Sequence, residues 1–334
     1  MIKLVSRLTQ RWRGNDVPVE PAGISADRAA KDPCDGPSYA LLKRERIARQ
    51  HDREVDIVIC AHNALDYLKP CLASVLNTLG PRHRVIVVDD ASNQQVRDHL
   101  GTLSGRNDRV YVHHNTARTG YTKAANTGLR LSGADFVILL NSDTVVAPNW
   151  IEKLCDAVYT TEGAGIVGPL SSAASFQSIP DHRSTTFQTA INRLPPNMSA
   201  ADVDLLCESW TNGTILPRVP LIHGFCFGLR RAVIDAIGLF DELRFPDGYG
   251  EEDDYCLRAT DAGFGLVIAT HTYVFHAKTK SYSLSERQTL AAAADRALRA
   301  RHGNERVDSA IQTLASNAIL NRFRCEAAIL YECN

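Results

Sequence analysis

Phe136-Val137-Ile138-Leu139-Leu140-Asn141-Ser142-Asp143-Thr144 is the stretch whose reading decides the fold. Five apolar residues in succession, two of them β-branched, predict a strand buried on both faces, as in a parallel sheet. The run halts at three short polar residues that favour a turn. In open α/β sheets, ligands gather just outside the carboxyl ends of strands. A carboxylate there has two readings. Asp143 reaches a divalent cation, which prefers oxygen ligands and often carries substrate phosphates, or it caps the turn that follows. The stretch alone leaves both open.

Upstream, Val55-Asp56-Ile57-Val58-Ile59-Cys60-Ala61 predicts a first strand ending at His62-Asn63. Apolar residues at helical spacing (Leu65, Leu68, Leu72, Val75, Leu76, Leu79) then stop at Gly80-Pro81. A second buried strand, 84–88, runs into Asp89-Asp90-Ala91-Ser92, and a helix over 94–103 leads to a third strand, 110–113. Residues 118–129 read as a polar loop entering a helix. Strand and helix alternate through four strands, the rhythm of a doubly wound parallel sheet. No GxGxxG follows the first strand and no GxxxxGK[ST] occurs, which excludes the usual dinucleotide and P-loop readings.

Downstream, a helix over 150–160 and a short strand over 165–169 precede residues 171–220, which are rich in Ser, Thr, Asn and Pro. Only 203–210 reads there as a helical turn or two. A connection of that length is functional or mobile, and an acceptor loop or lid is expected. A strand over 221–229 and a helix over 231–237 follow. The second charged centre is Gly248-Tyr249-Gly250-Glu251-Glu252-Asp253-Asp254-Tyr255-Cys256-Leu257-Arg258-Ala259. Four consecutive acids repel unless they are solvated, at a helix N-terminus or near a cation. A solvated face is one reading, but Tyr255, Leu257 and Ala259 suit an exposed helix poorly. Short strands over 266–269 and 273–276 place His276 at a strand end, with Lys278, Lys280, Ser281 and Tyr282 behind it. A satisfied surface histidine is the plain reading of that residue taken alone.

The 334 residues allow one large α/β domain with appendages, or two domains. A formal charge of -1 gives no reason to expect nucleic acid. Nine cysteines without CxxC or zinc-like spacing predict free thiols in a reducing compartment. No run reaches the length of a membrane span and the N-terminus does not read as a signal peptide, so a cytoplasmic protein is expected. Leu4, Leu8 and Trp12 among Lys3, Arg7, Arg11 and Arg13 form either a small basic helix on a membrane surface or a solvated tail. Three parts are expected: an N-terminal arm with a short helix over 1–52, the α/β domain over 53–283, and a helical extension over 284–334. The extension packs on the core or forms a partner surface.

Five ordered motifs carry a resemblance: Val58-Ile59-Cys60-Ala61-His62-Asn63, Val87-Val88-Asp89-Asp90-Ala91-Ser92, Leu140-Asn141-Ser142-Asp143, His223-Gly224-Phe225 and Gly250-Glu251-Glu252-Asp253-Asp254-Tyr255-Cys256-Leu257-Arg258. From about Val55 to Tyr282 the chain resembles the family 2 glycosyltransferases of GT-A fold, most of all bacterial enzymes that build surface polysaccharides or lipid-linked glycans. The resemblance implies a mostly parallel sheet flanked by helices, and inverting transfer of a sugar from a nucleotide-diphosphate donor, UDP- or dTDP-linked, to an acceptor hydroxyl. It maps nucleotide binding to Ala61, His62, Asn63, Asp89, Asp90, Arg118, Lys123 and Ser142. The family's DxD metal motif falls on Asn141-Ser142-Asp143. Its first position is Asn here, which leaves Asp143, with His276, to bind manganese or magnesium.

In the family the base is the second acid of a Glu-Asp pair at a helix start. Here the pair is Glu251-Glu252, so Glu252 is the expected base, with Glu251 or Asp254 orienting the acceptor. Lys278 and Lys280, with His223 and Gly224, stand for acceptor or diphosphate contacts. The competing reading is a catalytically silent sugar-nucleotide-binding or scaffold protein, against which the retained Asp143, Glu252 and Asp254 argue. Nucleotidyltransferases are set aside because Ala61-His62-Asn63-Ala64 replaces their Gly-rich Arg loop. Peripheral contact with the inner face of the membrane and a homo-oligomer are both compatible with the sequence.

Overall fold

The computed structural model describes residues 39–184, 189–211, 216–246, 248–278 and 284–332. Leu4, Leu8, Trp12 and Lys280 lie outside them. The chain runs α1 (Tyr39–Ala48), β1 (Val55–Ala61), α2 (Leu65–Leu76), β2 (His83–Asp89), α3 (Gln94–Ser104), β3 (Val110–His114), α4 (Tyr121–Leu131) and β4 (Phe136–Asn141). Next come β5 (Thr144–Val145), α5 (Trp150–Thr160), β6 (Ala164–Ser171), α6 (Ala200–Thr211), β7 (Cys226–Arg230), α7 (Arg231–Ile237), α8 (Glu251–Asp261) and β8 (Gly265–His276). Helices α9 (Leu284–His302), α10 (Asn304–Ala315) and α11 (Ala318–Glu332) close it.

Side chains alternate along each inner strand and split the core in two. Val55, Ile57, Ile59, Phe136, Ile138 and Leu140 pack with Leu68, Leu72, Trp150 and Leu154 of α2 and α5 on one face. Val58, Val137 and Leu139 pack with Ala124, Ala125 and Leu129 of α4 on the other. That second cluster also takes in Leu298, Val307, Leu314 and Phe323, so α9–α11 share the core of the sheet. Burial of both faces explains why β4 reads as an unbroken apolar run.

The sheet order is β3-β2-β1-β4-β7-β6-β8-β5. β1 is parallel to β2 and β4, β2 to β3, and β6 to β8. β7 is antiparallel to β4 and β6, and β5 to β8. The excursion between β6 and β7 leaves and re-enters at the carboxyl edge, so β7 has to run back against its neighbours.

Three details differ from the sequence reading. The strands expected at 266–269 and 273–276 are one, β8. Against it the register slips between Pro169 and Leu170, which pair with Ala269 and Tyr273. Pro169 has no N–H for the ladder, and the polar Thr270-His271-Thr272 is taken up in the irregularity. The strand expected at 221–229 is only Cys226–Arg230. The amides of Ile222 and His223 are instead taken by Cys256 Sγ at 3.4 Å and Gln177 Oε1 at 2.7 Å. Nor is 171–220 one long lid. Residues 171–174 are buried and α6 spans twelve residues.

Candidate active site

Register brings the motifs to one edge. Ala61 pairs with Asp89 and Cys60 with Asn141, so the ends of β2 and β4 flank the end of β1. Because β7 is antiparallel, Leu140 pairs with Cys226, and the Asn141 amide donates to the Phe225 carbonyl at 2.8 Å. That sets His223-Gly224 beside Asn141. β5 is likewise antiparallel to β8, with Thr144 opposite His276.

The ends of β1 and β2 are stitched together. His62 Nδ1 lies 2.7 Å from the Asp90 carbonyl, and the Asn63 amide donates to Ser92 Oγ at 2.9 Å. Asn63 Oδ1 accepts from the Asn93 amide at 2.9 Å. Asp90 Oδ1 accepts from Asn115 Nδ2 (2.9 Å), the Thr119 amide (2.8 Å) and Thr119 Oγ1 (2.7 Å), and Oδ2 from the Gly120 amide (2.9 Å). Among the described residues, Oδ1 thus takes three hydrogen bonds and Oδ2 one. Buried Asp89 accepts from the Ser92 amide at 2.9 Å and meets His114 Nδ1 at 2.8 Å. Burial pushes both carboxyls up, but the hydrogen bonds prevail and hold both below the usual range. The Asp90 carboxylate therefore shapes the loop 115–120, which carries the exposed Arg118. Lys123 is exposed one turn into α4.

At the end of β4, Asp143 Oδ1 stands 3.2 Å from His276 Nε2. His276 is 4% exposed, so it is no surface histidine. Its Nδ1 lies 2.7 Å from the Ala173 carbonyl, and Ser172 Oγ bonds both its amide and its carbonyl. Residues 171–174, expected to belong to a lid, are the floor that aims this ring. On its other side, His276 Nε2 lies 3.4 Å from Asn141 Nδ2 as well as beside the Asp143 carboxylate. Imidazole nitrogen and carboxylate oxygen at this spacing also fit neighbouring corners around an ion with bonds of ~2.1 Å, which lie about 3 Å apart. Among the described residues, no group of three or more His, Cys, Asp or Glu is gathered for a metal. Asp143 and His276 would be the protein ligands of an ion held here.

Beside this pair, the His223 and His276 rings are 6.3 Å apart, and Phe225 stacks on His276 at 5.3 Å. His223 Nδ1 accepts from the Phe225 amide at 3.2 Å. Burial, then the charges of Lys278 and His276, hold the His223 ring well below its usual value, so it is neutral. Lys278 is half-buried, and Ser142 lies between Asn141 and Asp143 on the turn.

The acid run opens α8, where a helix N-terminus favours negative charge. Glu252 Oε1 accepts from the Gly224 amide at 3.4 Å and Oε2 from the Gly250 amide at 3.2 Å. A Cβ on Gly224 would press against Glu252 at 3.4 Å. Burial raises Glu252, and the two amides partly offset the rise. Burial, then Glu252 and Asp253, push Glu251 well up. Glu252 and Asp253 retain some solvent contact although protein surrounds them, as groups lining a cleft do. Asp254 faces away. It is fully buried, with Oδ2 on Arg258 Nε at 2.8 Å and Oδ1 on His302 Nε2 at 2.9 Å. It is not brought beside Glu252 to orient an acceptor.

Tyr121 was not singled out from the sequence. Burial, then Cys60, Glu251 and Glu252, raise its phenol, so it stands between the end of β1 and the acid run. Its place at the first turn of α4, after Gly120, was the available signal.

A carboxyl edge that gathers a stitched carboxylate pocket, an Asp–His pair and a helix-start glutamate is the build of a GT-A transferase. Glycosyl transferase family 2 matches residues 56–238, more than half of the chain, and the chain belongs to that family. The pre-mycofactocin glycosyltransferase of Mycobacterium tuberculosis is 26% identical over 67% of this chain and 43% of its own. The putative teichuronic acid biosynthesis glycosyltransferase TuaG of Bacillus subtilis is 29% identical over 30% of this chain and 39% of its own. The chain spans less than half the length of the curated relatives it matches. GalNAc-T7, crystallised with UDP, GalNAc and Mn2+, shares the fold at a TM-score of 0.51 and 17% identity, over 83% of this chain and 54% of its own. The chain thus has the GT-A fold. Among the described residues, no helix is long and apolar enough to cross a membrane.

Proposed function

We propose that the protein transfers a sugar, with inversion, from a nucleotide-diphosphate donor to a hydroxyl of a glycan or lipid-linked acceptor, with Glu252 as the base. One observation carries this reading. Glu252 touches Gly224, the preceding residue His223 neighbours His276, and His276 meets Asp143, so a short chain of contacts joins a proton acceptor to an Asp–His pair. Nucleotide binding falls to Ala61, His62, Asn63, Asp89, Asp90, Arg118, Lys123 and Ser142, where the carboxylate of Asp90 suits a ribose hydroxyl or a base N–H. Asp143 and His276 would hold manganese or magnesium, which when bound neutralises charge on the leaving diphosphate. Lys278 and His223 lie where the diphosphate or the acceptor passes.

In the transfer step, Glu252 takes the proton of the acceptor hydroxyl. The acceptor oxygen forms a bond to the anomeric carbon from the face opposite the diphosphate. The diphosphate leaves with the electron pair of the broken C–O bond, and opposite-face attack inverts the centre. The two amides on Glu252 hold its carboxylate in place for that proton. GalNAc-T7 with UDP and Mn2+ supports a UDP-linked donor with a divalent ion. TuaG supports a cell-envelope polysaccharide acceptor.

The deciding experiment pairs transfer assays with nucleotide titration on Glu252→Gln. Transfer is expected to fall about 10²- to 10⁴-fold with UDP binding unchanged. Full activity in the variant would remove Glu252 as base, and a wild type that binds nucleotide without transferring would favour the silent reading. For the ion, UDP is expected to raise Tm further with manganese than without it. Asp143→Asn is expected to abolish that increment, and an unchanged increment would take Asp143 out of the site.

A further inference from the structure

The turn that delivers Glu252 is held in an unfavourable conformation by contacts from both α4 and the helical extension. Gly248, Tyr249 and Gly250 have φ of 79°, 76° and 86°, three left-handed residues in succession. Glycine tolerates this, but Tyr249 does not without support. The support comes from three sides. Gly248 donates its amide to Thr122 Oγ1 at 3.3 Å, and that hydroxyl donates to the Phe245 carbonyl. A Cβ on Gly250 would stand 3.1 Å from Ala294 Cβ of α9, so α9 lies directly on the turn. Arg301 Nη1 of the same helix is 3.0 Å from Asp241 Oδ2 and 3.0 Å from Asp254 Oδ1, spanning the two flanks of the turn.

Asp254 is the knot of this arrangement. It is fully buried, and its partners are Arg258, Arg301 and His302. Arg258 also donates to the Ile237 and Leu239 carbonyls at 2.9 and 3.0 Å, tying α8 to the segment that leads into the turn. Buried carboxylates persist where their charge is met and their oxygens are bonded, and two of the three partners here, Arg301 and His302, come from the last turn of α9. The Asp254 amide donates to the Gly250 carbonyl at 2.9 Å, and the Gly250 amide donates to Glu252. A shift of Asp254 therefore passes through one turn of helix to the carboxylate of Glu252.

We propose that α9 braces the Gly248–Gly250 turn, and that Arg301 and His302 are positioning residues for Glu252, acting through Asp254. This rests on the reading of Glu252 as the base. It makes the helical extension, which lies beyond the family segment, part of the catalytic apparatus.

The test uses the full chain carrying Arg301→Met, Arg301→Met with His302→Gln, and Arg301→Lys. Two readouts are taken: steady-state transfer, and amide hydrogen exchange over 248–254. In the Met variants kcat is expected to fall about 10- to 100-fold, the scale of a misplaced catalytic group, with KM for the sugar nucleotide within about twofold. Exchange over 248–254 is expected to speed up while β1 and β4 stay protected, and Arg301→Lys is expected to restore most of both. Unchanged kcat, or a loss that merely follows the unfolded fraction with no local change in exchange, overturns the proposal. If wild type transfers no sugar, the reading of Glu252 fails on its own, and the exchange data still decide whether α9 braces the turn.

Discussion

Glu251 and Glu252 are neighbours in the chain with different jobs, and their surroundings separate them. Glu251 is 4% exposed, and among the described residues its Oε2 has no hydrogen-bond partner. Burial and the adjacent acids keep it protonated well above the ordinary glutamate value of 4.5. Glu252 is raised less decisively, because the Gly224 and Gly250 amides favour its charged form. Glu252 is therefore the member of the pair whose charge backbone amides from outside the pair support. A base works only when deprotonated, so its raised value moves the acid limb of kcat/KM above the range of an ordinary glutamate. Glutamine imitates a protonated glutamate. Glu251→Gln is thus expected to keep that limb in place and to cost at least about tenfold less activity than Glu252→Gln. The pH profiles of both variants check this, and the reverse ranking would make Glu251 the base.

At the scale of elements, packing between α4 and β1 fixes the distance between the nucleotide side of the edge and the acids. Gly128 permits that packing: a Cβ there would lie 2.2 Å from Val58 Cγ1. Gly128→Ala is expected to destabilise by about 1–3 kcal/mol through overpacking, and Val58→Ala in the same chain to recover part of it. Urea unfolding of the single and double variants checks this, and additive losses would count against the contact. Such elements were legible because buried parallel strands announce themselves as apolar runs stopped by polar residues. Four strand ends, and with them Asp89, Asp90 and Asp143, could be read that way. The direction of β7 could not, since it depends on where the long excursion re-enters the sheet. The union of 266–269 with 273–276 was hidden by Thr270-His271-Thr272. The orientation of Asp254 was hidden too, because its partners Arg301 and His302 lie some fifty residues downstream in a helix with no local reason to meet α8. The floor under His276 consists of Ser172 and Ala173, residue types that carry no signal of their own.

For the molecule as a whole, a formal charge of -1 conceals a concentrated acid row whose cost falls on the folded state. Asp253 is pushed from 3.8 up to about 8, by burial first and then by Glu252. Its folded-state value lies above the unfolded one, so the native chain binds that proton more tightly. Its stabilising contribution is therefore whole below about pH 4 and is lost as pH climbs through about 8. Solvent in the cleft reduces the effect to about 1–2 kcal/mol, well short of the value for a fully desolvated group. Asp253→Asn removes the titration without altering shape. The variant is expected to match wild type near pH 4 and to melt about 2–3 °C higher near pH 8, in the absence of nucleotide. Thermal unfolding of both chains across that range measures the difference directly. An equal offset at every pH would trace the gain to packing, and no offset at pH 8 would mean that Asp253 ionises freely in the folded protein. The acid row thus makes the chain less stable near neutral pH than its core would allow, and among its members the native fold supports the charge of Glu252 with two backbone amides.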